Sequence, residues 1–350
     1  MNEYIKAIRT LVKGEQPNIN ISEILYNHNC HYLLSKIDAK NEYTNKLKIE
    51  NILNKVCVVE RYKMCAELFE KLTQNNIPYA VIKGAVLSNS AYLNPFYRHS
   101  GDIDLLINRK SIDTVKKIMC GMGFTQGRVT ENGIEPFSRK ELLFQTSTSH
   151  QTAPFVKETN NKLCPYVNVD INLDIMWGES EQSSDMDFVL EKTESTKICD
   201  IAFKKLSAEM EFISLCLHHY KDFNSIYLLY ERGLKLSHFC DTYFYIKNCN
   251  IKPEILYDYC CKLNVSEYVY YCLFYTNLIF EDSDLEKYMT LLQYENAEAL
   301  INKFGLTENE RQTWNVDFYT RLFDIDILDY LENSLDKELF KKIKINQMFM

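Results

Sequence analysis

Residues 98–107 read RHSGDIDLLI, and the pattern of this segment limits the folds that the chain can adopt. Asp102–Ile107 is a short apolar run with carboxylates at two alternate positions, which is typical of a strand with one polar face. Because strand side chains alternate, Asp102 and Asp104 project from the same face. The segment therefore predicts a strand that presents two acidic groups side by side.

The residues on either side predict an alternation of strands and helices. Ile77–Ile82 is an apolar run too short for a helix and suited to a buried strand. Lys83 and Gly84 follow it and lead into a helix predicted over Ala85–Leu93. After the acidic strand, Ser111 is a predicted N-cap for a helix that continues to Cys120. This order is typical of a compact sheet with helices packed on it.

Two segments further along add strand predictions. Tyr166–Trp177 alternates apolar and polar residues throughout, which predicts one long strand with Asp170 and Asp174 on its polar face. Leu142–Gln145 is a weaker strand candidate. The sheet is therefore expected within residues 76–180.

Helical periodicity dominates both flanks of this region. Residues 1–75 and 181–350 are predicted to be helical, and the period is strongest from residue 207 onward. The predicted fold class is α+β, a small mixed-sheet core at residues 76–180 between an N-terminal helical region and a C-terminal helical domain.

Composition restricts the kind of partner. The 350-residue chain has 40 basic and 48 acidic residues and a net charge of −8, which disfavours a protein that binds duplex DNA.

No apolar run approaches the roughly 20 residues of a membrane span. The first residues lack the apolar core of a secretory signal, and the 12 cysteines include no CxxC pair. We expect a cytoplasmic protein with reduced cysteines, and zinc is disfavoured because typical ligand spacings are absent.

The acidic positions suggest metal chemistry. Two adjacent carboxylates suit Mg²⁺, which prefers oxygen ligands and substrate phosphates. Asp170 or Asp174 could supply a third carboxylate. Lys83 and Gly84, at the start of a helix, could hold a triphosphate through backbone N–H groups and a positive charge. A solvated strand edge and a simple turn would explain each element taken alone.

A pair of histidines on a predicted helix was considered separately. His218 and His219 are about 100° apart on a helix, so they do not readily face one metal ion. The preferred interpretation is a structural role, with His219 kept as a candidate at the rim of the site.

Taken together, these elements resemble the DNA-polymerase-β-like nucleotidyltransferase superfamily, and most closely the family of uncharacterised nucleotidyltransferases. The similar features are Lys83-Gly84 at a helix start, Arg98 before the segment 102–106 (DIDLL), and an acidic strand that ends in an aromatic residue. Abortive-infection toxin-type nucleotidyltransferases look similar over residues 83–106. One departure is Met176, which stands where relatives often carry histidine. Two registers follow, one with Asp174 before Trp177 and the other with Asp170, and the first is preferred.

The resemblance implies transfer of a nucleoside monophosphate from an NTP to an acceptor with release of pyrophosphate, and it implies Mg²⁺ or Mn²⁺. It makes Asp102, Asp104 and Asp174 the expected metal ligands and catalytic residues, with Asp170 as the alternative third carboxylate. The residues expected to contact the nucleotide are Lys83, Gly84, Ser88, Arg98, Ser100 and Gly101.

The acceptor is open at this point. The acidic chain favours a small molecule, a peptide or a protein over tRNA, which a toxin-type enzyme would modify. A catalytically inactive nucleotide-binding or scaffold module is the alternative from another class. A basic surface around the cleft would indicate RNA, whereas an enclosed aromatic pocket would indicate a small acceptor.

Overall fold

The computed structural model of the protein describes residues 2–148, 150–178, 180, 182–292, 298–335 and 337–347.

Four helices precede the sheet. They are α1 (Glu3–Val12), α2 (Ser22–Asn27), α3 (His31–Leu34) and α4 (Glu42–Gln74). The 33-residue α4 begins with a capping box, in which the Asn41 side chain accepts from the Thr44 N–H and the Thr44 hydroxyl accepts from the Asn41 N–H. These helices agree with the helical region predicted before residue 76.

A mixed sheet of eight strands forms the centre of the molecule. Its order is β4-β3-β5-β6-β2-β1-β8-β7. The strands are β1 (Tyr79–Ile82), β2 (Asp102–Ile107), β3 (Thr125–Thr130), β4 (Gly133–Pro136), β5 (Phe155–Glu158), β6 (Tyr166–Asn172), β7 (Thr193–Ile198) and β8 (Ile201–Leu206).

The central strands carry the residues that matter for the site. Strand β2 pairs antiparallel with β1 and parallel with β6. Many of their apolar side chains are buried, and Val81, Leu105 and Val169 are at most 2% exposed. Helix α5 (Gly84–Tyr92) follows β1 directly, and α6 (Ile112–Gly121) follows β2 after a 3₁₀ turn at Arg109–Ser111. The predicted α+β class with a mixed sheet is therefore confirmed.

Three local predictions are wrong. The strand predicted over Tyr166–Trp177 ends at Asn172, since the chain leaves the sheet there. Leu142–Gln145 lies inside helix α7 (Arg139–Thr148) rather than in a strand. Strands β7 and β8 extend the sheet to Leu206, inside the region expected to be helical, and β8 pairs with β1. These two strands form a hairpin with many polar residues, so they carry no apolar alternation that would reveal them.

The rest of the described chain is mainly helical. After α8 (Met186–Glu191) and the β7–β8 hairpin come α9 (Ala208–Asn224), α10 (Ile226–Arg232), α11 (Leu236–Asn248), α12 (Pro253–Leu263), α13 (Ser266–Phe280), α14 (Ser283–Leu291), α15 (Phe318–Phe323), α16 (Ile327–Ser334) and α17 (Lys337–Gln347). The two-residue strands β9 (Lys303–Phe304) and β10 (Gln312–Thr313) form a separate small sheet. Among the helices of the described ranges, none has both the length and the apolar character that crossing a membrane requires.

Candidate active site

Three carboxylates meet where β2 and β6 run side by side. Asp102 and Asp104 project from one face of β2, and Asp104 is the register partner of Asp170 on β6. Burial and then the neighbouring charge of Asp104 raise the pKa of Asp102. Burial and the charges of Asp102 and Asp104 raise the pKa of Asp170 to about 7. The three groups therefore repel one another and resist joint ionisation.

Asp104 is only 8% exposed, and polar neighbours contact its buried carboxylate. The ammonium of Lys83 lies 3.3 Å from its Oδ1, and Asn172 Nδ2 donates to the same oxygen at 3.0 Å. Asn172 in turn accepts a hydrogen bond of 2.7 Å from Gln151 Nε2. These contacts fix the direction in which the Asp104 carboxylate faces.

The turn between β1 and α5 has an unusual backbone. Lys83 has φ 56° and ψ −153°, and Gly84 has φ 45° at the first position of the helix. A Cβ on Gly84 would lie 3.1 Å from the Oγ of Ser100. The loop before β2 therefore packs directly on the start of α5, which brings the helix N-terminus, whose first N–H groups have no partner within the helix, beside the acidic strand.

A residue of the long N-terminal helix supports this loop. Arg61, on α4, is 8% exposed and donates from Nη1 to the carbonyl of Ser100 at 2.6 Å. Gly101 follows Ser100 and has open space around its Cα. Ser100 and Gly101 thus connect the turn at Lys83 and Gly84 to Asp102.

Asp174 is placed elsewhere. Its carboxylate accepts from the backbone N–H of Met176 at 2.9 Å and from that of Ser184 at 3.1 and 3.3 Å. These contacts close the chain segment that follows β6. Because β6 ends at Asn172, the alternation that would put Asp174 on the acidic face is interrupted. The structure therefore brings Asp170, and not the preferred Asp174, beside Asp102 and Asp104.

Two further residues expected to contact the nucleotide have other partners. Ser88 is fully buried, and its hydroxyl donates to the Asn94 carbonyl and accepts from the Arg98 N–H. Ser88 therefore holds the loop after α5 rather than facing the carboxylates. Arg98 Nε donates to Asp241 of α11 at 3.0 Å. Burial opposes the charge of Arg98, but the Asp241 carboxylate outweighs burial and raises its pKa.

The histidine pair on α9 has two different environments. His219 is completely buried, with Nδ1 3.2 Å from the Thr242 hydroxyl, so it does not lie at the rim of the site. His218 lies 3.5 Å from Asp222 and lines a large cavity. Burial lowers the pKa of His218, and the charge of Lys83 adds to that effect. The lining of the cavity also includes Arg98, which lies four residues before Asp102 in the chain.

The cavity lies between the N-terminal helices, the loop that carries Arg98, and helices α9 to α11. Its volume is about 660 Å³, within the roughly 300–1,000 Å³ of small-molecule sites. Four acidic side chains line it against two basic ones, Arg98 and Lys235. Its aromatic lining consists of Tyr26, Tyr32, Tyr92 and Tyr97.

The donor set fits a divalent cation. Asp102 and Asp170 both have raised pKa values because burial and neighbouring carboxylates oppose their ionisation, and Lys83 is the close ammonium. A hard cation accepts oxygen ligands of this kind and would cancel the repulsion. Asp102, Asp104 and Asp170 would be its ligands, although among the described residues they do not form a group whose ligand atoms all lie within 4.8 Å of one another.

Several residues around the cluster escaped sequence reasoning. Arg61 lies about 40 positions before Asp102 on a long helix whose polar positions look alike, so the sequence carries no signal for its role. Asp241 lies in a distant helix. Asn172 is different, because the sequence already places it on the same strand face as Asp170, and the alternative register puts it where relatives carry histidine.

Comparison with known proteins shows the family of the chain. The family model described as "Uncharacterised nucleotidyltransferase" matches residues 27–281. The chain therefore belongs to the family of uncharacterised nucleotidyltransferases. This family supports nucleotidyl transfer as its general activity. No curated protein matches the chain. Among solved structures, an antigenic nucleotidyltransferase-like protein from Paracoccidioides brasiliensis is similar, with 18% identity and a TM-score of 0.41 over 66% of this chain and 93% of the other.

Proposed function

We propose that the protein is a metal-dependent nucleotidyltransferase that moves a nucleoside monophosphate from an NTP to a small acceptor and releases pyrophosphate. The observation that carries the proposal is the meeting of Asp102, Asp104 and Asp170 across two paired strands beside Lys83. Mg²⁺ or Mn²⁺ held by these carboxylates would supply charge neutralisation at the reacting phosphate.

The residues of the turn orient the triphosphate. The N–H groups at the start of α5 and the Lys83 ammonium face the β- and γ-phosphates, and Ser100 and Gly101 border the same space. Lys83 also contacts Asp104, so triphosphate binding and carboxylate orientation depend on the same side chain. Ser88 and Arg98 support the loop instead, through Asn94 and Asp241.

In the transfer step, a new bond to the α-phosphorus forms while one of its phosphorus–oxygen bonds breaks. A hydroxyl or amine of the acceptor attacks the α-phosphorus, the bond between the α-phosphorus and the bridging oxygen breaks, and pyrophosphate carries away the electron pair. Asp170, the carboxylate that β6 contributes beside Asp104, accepts the acceptor's proton.

The large cavity supports a small acceptor. Its four tyrosines and its volume suit a molecule that stacks on aromatic rings, and its acidic side chains outnumber its basic ones. An RNA-binding surface would need the opposite balance, because phosphate contacts depend on lysine and arginine. A compound with a hydroxyl or amino group and a flat or cationic portion fits this lining best.

The decisive experiment follows the label from each α-³²P-labelled NTP. The purified protein is incubated with Mg²⁺ or Mn²⁺ and either a small-molecule fraction or a macromolecular fraction of a cell extract. We expect labelled product from the small-molecule fraction, lost in the Asp102→Asn and Asp104→Asn variants. Lys110→Ala, which removes an exposed surface ion pair with Asp187, is the matched control and should keep full transfer.

Four outcomes would change the proposal. Label in tRNA would identify a toxin-type enzyme, and label in protein would shift the acceptor class. Nucleotide binding without transfer in any fraction would indicate a binding module. Full transfer by Asp104→Asn would remove the carboxylates from the mechanism altogether.

A further inference from the structure

A second cluster of metal-ligand side chains lies away from the three carboxylates. His31, Glu50 and His99 each offer one ligand atom, and these atoms all lie within 4.8 Å of one another. The residues come from the start of α3, from α4 and from the loop before β2. Their separation in sequence explains why ligand spacing gives no sign of them.

The hydrogen bond that His99 makes leaves one of its ring nitrogens available for a metal. His99 Nε2 lies 2.9 Å from Asn51 Oδ1. An amide oxygen only accepts, so Nε2 carries the hydrogen and Nδ1 keeps its lone pair. Metal-binding histidines usually donate their second N–H to such oxygen atoms.

The carboxylate is positioned in a similar way. One oxygen of Glu50 accepts a hydrogen bond from the Tyr26 hydroxyl. His31 is 8% exposed and its ring centre lies 3.9 Å from that of His99, so the two imidazoles are already close together. All three side chains also line the 660 Å³ cavity.

We propose that His31, Glu50 and His99 form a binding site for a divalent transition metal of the Zn²⁺ type. Two imidazoles and one carboxylate are a ligand set that zinc accepts with a fourth position open, and all three side chains line the cavity from which a fourth ligand could come. The bound ion would join the N-terminal helices to the loop that leads into Asp102. The site is separate from the Mg²⁺ site and does not depend on nucleotidyl transfer.

Metal binding by the full chain tests this directly. The protein is stripped with a chelator, and Zn²⁺ binding is measured by calorimetry while Co²⁺ is followed by its visible absorption. We expect one equivalent of Zn²⁺ and the intense bands of a low-coordinate Co²⁺ site. His99→Asn and Glu50→Gln should each weaken binding by about tenfold or more.

Two controls separate this site from others. His238→Asn alters a histidine that lines the same cavity but lies outside the cluster, and Asp102→Asn alters the proposed Mg²⁺ site; both should bind Zn²⁺ as the unaltered protein does. Circular dichroism establishes that each variant is folded. Absence of stoichiometric Zn²⁺ binding, or equal affinity in the folded Glu50→Gln and His99→Asn variants and the unaltered protein, would overturn the proposal.

Discussion

The carboxylate that completes the acidic cluster is decided by where one strand ends. Asp170 lies within β6 and beside Asp104, whereas Asp174 lies beyond the strand and binds backbone N–H groups. The two aspartates are four residues apart and would be equivalent on a continuous strand. The different surroundings give them different expected roles.

Substituting each aspartate by asparagine tests this assignment. Asp170→Asn should lower transfer by about 10²-fold or more, because it removes a negative ligand from the cluster. Asp174→Asn should keep metal-dependent transfer but lower stability by about 1–3 kcal/mol, because it disturbs buried acceptors of the Met176 and Ser184 N–H groups. Steady-state kinetics and thermal denaturation measure both effects. The reverse pattern would restore the Asp174 register.

The raised pKa of Asp170 also predicts how stability depends on pH. Below the usual pKa near 3.8, both the folded and the unfolded chain hold the proton. As pH rises from there to about 7, the unfolded chain releases the proton first, so the folded state loses stability. The metal-free protein should therefore be destabilised by Asp170 in this window by about 1–2 kcal/mol, a value reduced by solvent screening.

Chemical denaturation at several pH values measures this effect. The difference in free energy of unfolding between the unaltered protein and Asp170→Asn isolates it from buried histidines, which titrate in the same range. Saturating Mg²⁺ should abolish the difference, since a bound cation offsets the repulsion. A pH-independent difference would show that Asp170 ionises without penalty.

At the scale of an element, the turn from β1 into α5 depends on a glycine. Gly84 combines φ 45° with a close approach to Ser100, so alanine would add both backbone strain and a contact of 3.1 Å. Gly84→Ala should therefore lower the free energy of unfolding by about 1–3 kcal/mol and weaken nucleotide binding. Urea denaturation and nucleotide titration measure these changes.

Gly101 offers the matched control for this variant. It lies near the same loop, but a Cβ at this position would have no atom within 4 Å, and its φ is not positive. Gly101→Ala should change stability by less than about 0.5 kcal/mol. Equal destabilisation by the two variants would mean that the loop tolerates no added side chain, rather than that Gly84 is needed for its conformation.

The elements differ in how well the sequence predicts them. The bounds of β2 coincide with the apolar run Asp102–Ile107, because a strand buried among neighbours carries its signal in its own residues. The end of β6 is different, since it is set by the contacts of Asp174 with Met176 and Ser184, which no alternation pattern contains. The β7–β8 hairpin lies at an edge of the sheet, where exposed polar residues hide the period.

The residues of the candidate site also differ in how well the sequence predicts them. Lys83, Gly84 and Asp102–Asp104 are close in sequence, so their association could be predicted from a short segment. The parts supplied by distant elements, such as Arg61 and Asp241, depend on packing that a linear pattern does not encode.

At the scale of the whole molecule, the largest of three hydrophobic clusters contains residues from all three predicted regions. A continuous cluster of buried side chains extends from Ile5 and Leu47 in the N-terminal helices, through Ile82 in the sheet, to Phe239 and Leu273 in the C-terminal helices. Polar contacts also cross the boundary, because Asp241 of α11 binds both Arg98 and the hydroxyl of Tyr92. We therefore expect the three regions to unfold together rather than as separate units.

Removing the buried carboxylate of Asp241 should destabilise the entire chain. Asp241 is 2% exposed, so Asp241→Ala would leave Arg98 without its carboxylate and cost about 3–5 kcal/mol. Asp284→Ala breaks an exposed ion pair with Lys247 and should cost less than about 1 kcal/mol. Thermal denaturation followed by circular dichroism and by tryptophan fluorescence measures both. We expect Asp241→Ala to lower the melting temperature in a single transition seen by both probes, because the sheet and the C-terminal helices lose the same connection. Two separate transitions, with the sheet melting unchanged, would show instead that the C-terminal helices fold independently of the site.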